Sequence, residues 1–358
     1  MNYLNREVHT IFVMLGNSCN LNCEYCLQHP LVNKALPKKV SEDFYGFIRH
    51  IALNQECMPT LQFYGGEPLV YFDTIKEIVG KVNAMPDLKF NYSTISNGKL
   101  LNQEIVDFFN SNKFSVAISW DGRMSKDTRH FDVMQENNNA IYAINVLTLS
   151  GVVSNYAYPV AILNDFHKIR SIYKKKNNKD INVNLDLIMD TCIENKEILD
   201  LDIEKLGADY DFLFKNYQLS MDKKFDEVDK DYTVTHFTYA RRMVNTARYN
   251  KERRSYLSSC GNGYDTINVD LEGNLYPCHN TSTSIGTVHS SYWDYLSNLI
   301  KIDNNLKNID RCDTCEAVGM CSGGCKLLSD KVRENYYCAA KIEMIKAIKR
   351  NGVNINDG

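Results

Sequence analysis

Short apolar segments alternate with polar, helix-patterned segments over the first half of the chain. Runs rich in β-branched and aromatic residues predict strands, and apolar residues at helical spacing predict helices between them. The predicted strands are Val8–Leu15, Thr60–Tyr64, Phe90–Ile95, Phe114–Ser119, Tyr156–Leu163 and Ile181–Met189. The predicted helices are Ser41–Leu53, Phe72–Val82, Glu104–Phe109, Ala140–Leu149 and Asp165–Lys174. This alternation indicates βαβ units with a parallel sheet, so residues 1–200 are predicted to form one α/β domain.

The pattern changes in the second half of the chain. Residues 201–258 are polar and charged, with one predicted helix at His236–Arg248, and are interpreted as a bridging region that shapes a substrate channel. From residue 259 onward, glycines punctuate a predicted hairpin of Thr266–Val269 and Asn274–Pro277, and a last helix is predicted at Cys338–Lys349. Residues 259–358 hold too little apolar material for a core of their own, so bound metal is predicted to stabilise them.

Composition and charge exclude several classes of protein. The 358 residues are 44% hydrophobic and 24% charged, which is typical of a globular protein. The net charge is −3, without the basic domain or stripe that a nucleic-acid partner requires. No apolar stretch reaches the roughly 18 residues of a membrane helix, and the N-terminus lacks the apolar core of a signal peptide. The sequence therefore predicts a cytoplasmic protein without a membrane partner, whose twelve cysteines bind metal rather than form disulfides.

The first group of cysteines lies in the loop after the first predicted strand. Cys19, Cys23 and Cys26 are spaced x3 and x2. Three thiolates on a cluster of four irons leave one iron open to a chelating cofactor. This loop alone leaves a zinc site open as an alternative, with His29 as the fourth ligand that a structural zinc ion requires.

The cysteine spacing, with Tyr25 directly before the last cysteine, resembles the signature of the radical S-adenosylmethionine (SAM) enzymes. Three more motifs follow predicted strands in the order known from this family. They are Gly65-Gly66-Glu67-Pro68, Ser96-Asn97-Gly98 and Ser119-Trp120-Asp121-Gly122. The resemblance implies an α/β fold, a partial (β/α)6 TIM-like radical SAM barrel, with its chemistry at the C-terminal ends of the strands.

The resemblance also implies a SAM site. Glu67 would accept hydrogen bonds from the SAM amino group, and the Arg129 guanidinium would bind its carboxylate. Tyr25 would pack against the adenine side. The implied cofactor contacts are Tyr25, Gly65, Gly66, Glu67, Ser96, Ser119 and Arg129. Each of these motifs taken singly is also typical of an ordinary turn or a surface residue.

The second group holds seven cysteines, namely Cys260, Cys278, Cys312, Cys315, Cys321, Cys325 and Cys338. Their order resembles the SPASM domain, the cysteine-rich auxiliary-cluster module of peptide-modifying radical SAM enzymes. The resemblance assigns Cys312, Cys315, Cys321 and Cys338 to one auxiliary cluster and the other three to a second cluster nearer the active site. The chain would then hold three [4Fe-4S] clusters, with two zinc sites as the alternative for these seven thiols.

The inner auxiliary cluster has only three predicted ligands. Sulfatase-maturing relatives carry a further cysteine where this chain has Thr266, so an open iron is predicted to bind a substrate sulfur or amide. Those relatives place a proton-accepting aspartate where this chain has His279. His279 is therefore the predicted catalytic acid–base group, with hydrogen bonding to a cluster ligand as the alternative. Cys57 is interpreted as a helix-end thiol, and Cys192 as either a substrate contact or an inert thiol.

The resemblance implies a radical SAM oxidoreductase that cleaves SAM and abstracts hydrogen from a peptide or protein side chain. The leading hypothesis is a maturase that forms a crosslink or an oxidised side chain in a ribosomally synthesised peptide. An anaerobic sulfatase-maturing, formylglycine-generating enzyme, a small-molecule radical SAM dehydrogenase and a non-enzymatic metal scaffold are the alternatives. The expected partners are the peptide, a reductant such as flavodoxin or ferredoxin and, because Cys19 comes so early, a separate leader-binding protein.

Overall fold

The computed structural model describes residues 7–28, 39–189, 196–252, 265–304, 312, 314–321, 323–325 and 328–355. Its strands are β1 (Thr10–Met14), β2 (Thr60–Tyr64), β3 (Asn91–Ser96), β4 (Ser115–Ser119), β5 (Leu147–Val153), β6 (Asn182–Leu187), β7 (Thr266–Asp270), β8 (Asn274–Tyr276) and β9 (Gly286–Thr287). Its first ten α-helices are α1 (Glu42–Leu53), α2 (Phe72–Asn83), α3 (Gln103–Ser111), α4 (Ser125–Arg129), α5 (Val133–Glu136), α6 (Asn138–Ala143), α7 (Pro159–Asn177), α8 (Ile203–Met221), α9 (Val234–Glu252) and α10 (Tyr292–Asn304). Three more follow, α11 (Val318–Cys321), α12 (Asp330–Val332) and α13 (Cys338–Arg350).

All nine strands of these residues form one sheet in the order β6-β5-β4-β3-β2-β1-β7-β8-β9. The pairs from β1 to β6 are all parallel, and helices connect successive strands. This arrangement confirms the predicted partial α/β barrel. No helix in the part of the chain that the structure describes is long and apolar enough to cross a membrane.

Each of the six parallel strands has one face packed against helices and one face turned to the inside of the barrel. In β1, Ile11 and Val13 are fully buried in the core, while Phe12 and Met14 between them remain partly accessible. The same alternation places Tyr64 of β2 and the side chains of β5 and β6 that are described below on the inner face.

The predicted strand Tyr156–Leu163 is wrong, and so is the second half of the predicted helix Ala140–Leu149. The fifth strand comes earlier, at Leu147–Val153, and alternate residues of it are buried. Pro159 then begins α7, where its fixed φ suits the first helical position. Both errors have one cause, because a short apolar run fits a strand and a buried helix equally well.

The bridging region contains two long helices, of which only α9 was predicted. Asp202 caps the missed helix α8 and accepts a hydrogen bond from the Lys205 backbone N–H (3.0 Å). Leu206, Tyr210 and Leu213 recur at helical spacing on its buried face. α8 packs against α13, and α9 packs against α7.

The C-terminal region continues the barrel sheet. The predicted hairpin is confirmed as β7 and β8, and β7 pairs in parallel with β1 along its whole length. At the other side of the barrel, the Tyr336 hydroxyl donates to the Val153 carbonyl and accepts from the Ile188 backbone N–H (3.0 Å). The C-terminal region thus contacts both sides of the barrel, while the domain boundaries at residues 200 and 258 stay a prediction.

A buried histidine in α9 should make this part of the fold sensitive to acid. The His236 ring lies between Phe212 and Tyr232, with both ring centroids 5.6 Å away. Burial lowers the pKa of His236 to about 4. The unfolded chain binds the proton more tightly, so stability is complete above about pH 6.5 and is lost as the pH falls toward 4. At pH 5.5 the loss of stability from this residue should be on the order of 1 kcal/mol.

Hydrogen–deuterium exchange of α9 at pH 7.5 and 5.5, corrected for intrinsic rates, checks this expectation. His236→Gln should lose less protection on acidification than the wild-type chain, and His289→Gln, at an exposed position, should behave like wild type. An equal loss in His236→Gln and wild type would contradict the assignment.

Candidate functional site

The cysteine loop follows β1 and is held by backbone hydrogen bonds to the end of β2. The Gly66 N–H donates to the Gly16 carbonyl (3.0 Å), and the Glu67 N–H donates to the Ser18 carbonyl (2.8 Å). A Cβ on Gly65 would lie 2.4 Å from the Gly16 oxygen, and one on Gly66 would lie 2.4 Å from the Ser18 oxygen. Both glycines are therefore required for the loop backbone to pack on the strand end, whatever they do toward a cofactor.

Glu67 is buried and binds two strand ends together. Its Oε1 accepts from the Leu69 N–H (3.0 Å) and the Ser96 hydroxyl (2.7 Å), and its Oε2 accepts from the Asn97 N–H (2.8 Å). Burial raises the pKa of Glu67, while these three hydrogen bonds lower it. A carboxylate has about four acceptor sites, so the predicted bond to the SAM amino group would use the remaining capacity and stays a prediction.

The three N-terminal cysteines lie close together beside Asn97. Burial, together with the neighbouring Cys26 and Cys19, raises the pKa of Cys23 to about 12. The Asn97 amide donates to the Cys19 sulfur (3.9 Å). Crowded, buried thiols of this kind deprotonate only when a cation binds them, so the donor set fits a metal cluster. His29, the fourth ligand of the alternative zinc site, lies outside the described residues.

Asp121, which the sequence motifs contained but did not single out, is the centre of a buried network. Its carboxylate accepts from the Tyr25 hydroxyl, the Thr128 hydroxyl (2.7 Å) and the Val152 N–H (2.8 Å). Arg129 donates to the same carboxylate through Nε (3.0 Å) and Nη2 (3.1 Å). Burial alone would lower the pKa of Arg129, but the Asp121 carboxylate raises it above its ordinary value.

Tyr25 and Arg129 therefore meet at Asp121, and the guanidinium carbon lies 5.3 Å from the centre of the Tyr25 ring. Part of the guanidinium fork is occupied by a protein carboxylate. The predicted contacts of both residues with SAM stay predictions, as does that of Ser119, which ends β4 opposite Ser150 of β5.

Four of the C-terminal cysteines also come together. Burial raises the pKa of Cys321 to about 11, with contributions from the nearby Cys338, Cys312 and Cys315. These are the four residues predicted to hold one auxiliary cluster. Cys260 and Cys192 lie outside the described residues. Of the predicted set of Cys260, Cys278 and Cys325, the structure therefore describes only the last two.

Arg333 supports the loop that carries Cys321 and Cys325. Its guanidinium donates to the Gly323 carbonyl (2.6 Å) and to the Cys325 carbonyl (3.2 Å). The side chain is buried. It therefore anchors the Cys321–Cys325 loop to the segment that precedes α13.

His279 is packed between two rings of the barrel's inner face. Its ring stacks on Phe12 with centroids 4.1 Å apart, and it meets Tyr64 edge to face at 4.4 Å. Burial lowers the pKa of His279 to about 4, and Nδ1 has no hydrogen-bond partner among the described residues. The imidazole is neutral at pH 7 and a weak base there, which disfavours the acid–base role predicted for it.

Tyr64 lies close to one cysteine of each group. Its hydroxyl donates to the Asn280 side-chain oxygen (3.0 Å). Burial raises the pKa of Tyr64 above its ordinary value, and both Cys278 and Cys26 lie close enough to raise it further. Asp186 acts on the same hydroxyl. Cys26, Cys278 and Asp186 therefore all lie near the Tyr64 hydroxyl, and we call the inside of the barrel around this hydroxyl the cavity.

The β6 side of this cavity carries an acidic group that sequence reasoning missed. The Asp186 carboxylate accepts from Asn184 (2.6 Å) and lies 3.5 Å from the Ser150 hydroxyl. The side chain keeps contact with solvent, but partial desolvation of the carboxylate inside the barrel raises its pKa, while Arg242 and Lys341 lower it. Neither cation forms an ion pair with Asp186 within the described ranges. The alternation of β6 could have indicated that Asp186 faces inward.

Comparisons with known proteins agree with this geometry. The family of 4Fe-4S single cluster domains (Fer4_12) matches residues 9–141. The radical SAM cyclopropyl synthase TigE of Paramaledivibacter caminithermalis is 23% identical over 89% of this chain and 68% of its own length. The cysteine-type anaerobic sulfatase-maturating enzyme of Clostridium novyi is 26% identical over 87% of this chain and 86% of its own length.

Solved structures show the same fold. Native anSMEcpe with bound AdoMet is similar over 96% of this chain and 97% of that chain, with a TM-score of 0.63 and 20% identity. Streptococcus suis SuiB bound to the precursor peptide SuiA is similar over 92% of this chain and 74% of that chain, with a TM-score of 0.57 and 15% identity. These comparisons confirm the predicted resemblance to radical SAM enzymes.

The packing of Gly66 on the cysteine loop makes a direct test possible. In Gly66→Ala the new methyl group would meet the Ser18 and Asn17 carbonyl oxygens at 2.4 and 2.6 Å. The loop must move, so anaerobically prepared protein should lose about four irons per chain, the content of one cubane cluster. Iron and sulfide analysis measures this loss.

The matched control is Gly46→Ala in α1, where a Cβ would meet nothing within 4 Å. It should leave the iron content unchanged and stabilise the helix by up to about 1 kcal/mol. Full iron content in Gly66→Ala would show that the loop does not depend on this contact.

Proposed function

We propose that this chain is a radical SAM maturase that removes hydrogen from a side chain of a peptide or protein. The observation that carries the proposal is that Tyr64 lies close to both Cys26 of the first cysteine group and Cys278 of the second. Both groups thus border one cavity, which lies at the C-terminal ends of the strands where α/β barrels carry out their chemistry.

The proposal includes the cofactors. Cys19, Cys23 and Cys26 would hold a [4Fe-4S] cluster that binds SAM beside the Glu67 and Asp121 networks. The C-terminal cysteines would hold two auxiliary [4Fe-4S] clusters. When bound, these groups would supply a 5′-deoxyadenosyl radical and an acceptor for one electron. The protein's own task is to orient the substrate and exclude water.

The rings of Phe12, Tyr64 and His279 form a tightly packed side of the cavity. Their stacking leaves an apolar surface next to both cysteine groups. Such a surface protects a carbon radical from water, which is the role we assign to His279 in place of acid–base catalysis. Asp186, on the opposite side, is the group placed to accept a proton.

The reaction requires such a group. Removal of a hydrogen atom and then of an electron from a substrate carbon leaves a cation that must release a proton. The Asp186 carboxylate faces the cavity, and its raised pKa makes it a better base than an ordinary aspartate. Asn184 and Ser150 orient the carboxylate through their hydrogen bonds.

A peptide substrate is supported by the relatives. SuiB has been solved with its precursor peptide, and anSMEcpe has been solved with a bound peptide. A formylglycine-generating sulfatase maturase is the second candidate, favoured by the similarity to anSMEcpe over nearly the whole of both chains. Thr266 and His279 differ from the residues that those enzymes are expected to carry. A leader-binding partner and a flavodoxin- or ferredoxin-like reductant belong to the same proposal.

Incubation of the reduced, anaerobic enzyme with SAM and the peptide encoded beside its gene tests the function. We expect 5′-deoxyadenosine and a peptide lighter by about 2 Da, the mass of two hydrogen atoms. A sulfatase-motif peptide in a parallel reaction distinguishes the second candidate by formation of formylglycine. SAM cleavage with neither peptide altered would reject both candidates.

The role of Asp186 has its own test. Asp186→Asn keeps the size and the hydrogen bonds but removes the base, so product formation should fall by about 100-fold or more. Cluster content and 5′-deoxyadenosine formation should persist, because the variant leaves both cysteine groups intact. The ratio of 5′-deoxyadenosine to product measures this uncoupling.

Asp107→Asn, on the exposed face of α3, is the control. His279→Gln should lower product formation less than Asp186→Asn does. If the ratio of 5′-deoxyadenosine to product is unchanged in Asp186→Asn but rises in His279→Gln, then His279 and not Asp186 is the acid–base group.

A further inference from the structure

Two segments lie side by side at the N-terminal edge of the sheet, where β1 and β2 begin. The Val8 N–H donates to the Gln55 side-chain oxygen (2.9 Å), and the Gln55 amide donates back to the Val8 carbonyl (2.9 Å) and to the Cys57 carbonyl (3.0 Å). The Thr60 N–H donates to the His9 carbonyl (2.9 Å). These bonds fix residues 7–9 against residues 55–57.

The alternation of the extended chain then sorts the side chains. Val8 is only 2% exposed and points into the core, so Glu7 and His9 project together on the opposite, exposed side. The Cys57 N–H donates to the Glu7 carboxylate (3.0 Å), which brings the thiol beside them. One ligand atom from each of Glu7, His9 and Cys57 lies within 4.8 Å of the other two.

We propose that Glu7, His9 and Cys57 bind a zinc-like divalent cation. Thiolate sulfur, imidazole nitrogen and carboxylate oxygen are the donors that zinc takes in proteins, and three of them leave a fourth tetrahedral position for water. Magnesium and calcium favour sites made of oxygen alone. The Gln55 amide also donates to the Cys57 sulfur (3.1 Å), an outer contact that orients a metal ligand.

This site is separate from the cysteine groups that border the cavity. The cysteine loop leaves the C-terminal end of β1, whereas Glu7 and His9 precede its N-terminal end. A strand rises about 3.3 Å per residue, so roughly 20 Å of chain separates His9 from that loop. In this site Cys57 is a metal ligand, and the ion links the residues before β1 to the α1–β2 connection. It does not depend on the proposed function.

Zinc binding to the intact protein tests the site. Enzyme with its iron sites filled under anaerobic conditions is cleared of loose metal with a chelator and dialysed against zinc chloride. We expect one zinc per chain in addition to the iron. Cys57→Ser and His9→Gln should each weaken zinc binding by at least about 10-fold, with iron content unchanged, and zinc should protect Cys57 from alkylation by iodoacetamide.

Two histidines outside the proposed site provide controls, the half-buried His50 and the exposed His289. His50→Gln and His289→Gln should bind zinc like the wild-type chain, and zinc should raise the Tm of both as it does that of wild type. The Tm of Cys57→Ser should not respond to zinc. The proposal is overturned if zinc fails to bind once the iron sites are filled, or if it binds equally well to Cys57→Ser, since the ion would then occupy cluster cysteines.

Discussion

The backbone of the cysteine loop packs directly on the residues that end β2, with no side chain between them. Carbonyl oxygens of the loop lie where the Cβ atoms of Gly65 and Gly66 would stand, and the N–H groups of Gly66 and Glu67 bond to that same loop. Glu67 then extends the contact to Ser96 and the end of β3. The sheet therefore sets the position of the three thiols, because the contact is made by backbone atoms, which have no alternative rotamers.

A second constraint comes from the C-terminal region, which is part of the same sheet. Because β7 pairs with β1 along its whole length, the chain after β8 passes over the inner face of the barrel. This path stacks His279 on Phe12 and brings Cys278 near Tyr64. The two cysteine groups are more than 230 residues apart in the chain, yet they border one cavity because the strands beside them are neighbours.

The sequence predicts this architecture well where the signal is local. Motif residues that follow parallel strands must gather at one edge of the sheet, and the hairpin shows its own turn glycine. The fifth strand and α8 could not be placed as well, since a short apolar run does not distinguish a strand from a buried helix. Asp121 and Asp186 were missed for another reason. Their importance comes from partners distant in sequence, such as Tyr25, which lies 96 positions from Asp121.

The two sides of the cavity differ in chemistry, and this difference limits how a substrate can lie there. Phe12, Tyr64 and His279 offer rings, and burial keeps that histidine uncharged. The β5–β6 side offers a hydroxyl, an amide and the Asp186 carboxylate, with Arg242 and Lys341 behind it. Burial lowers the pKa of Lys341, whereas Cys321 and Asp186 raise it. A polar stretch of a substrate is favoured along β6, because its polar groups can form hydrogen bonds there. An apolar side chain of the substrate is favoured against the rings. In the proposed function, orientation of this kind would select the one substrate carbon that loses hydrogen.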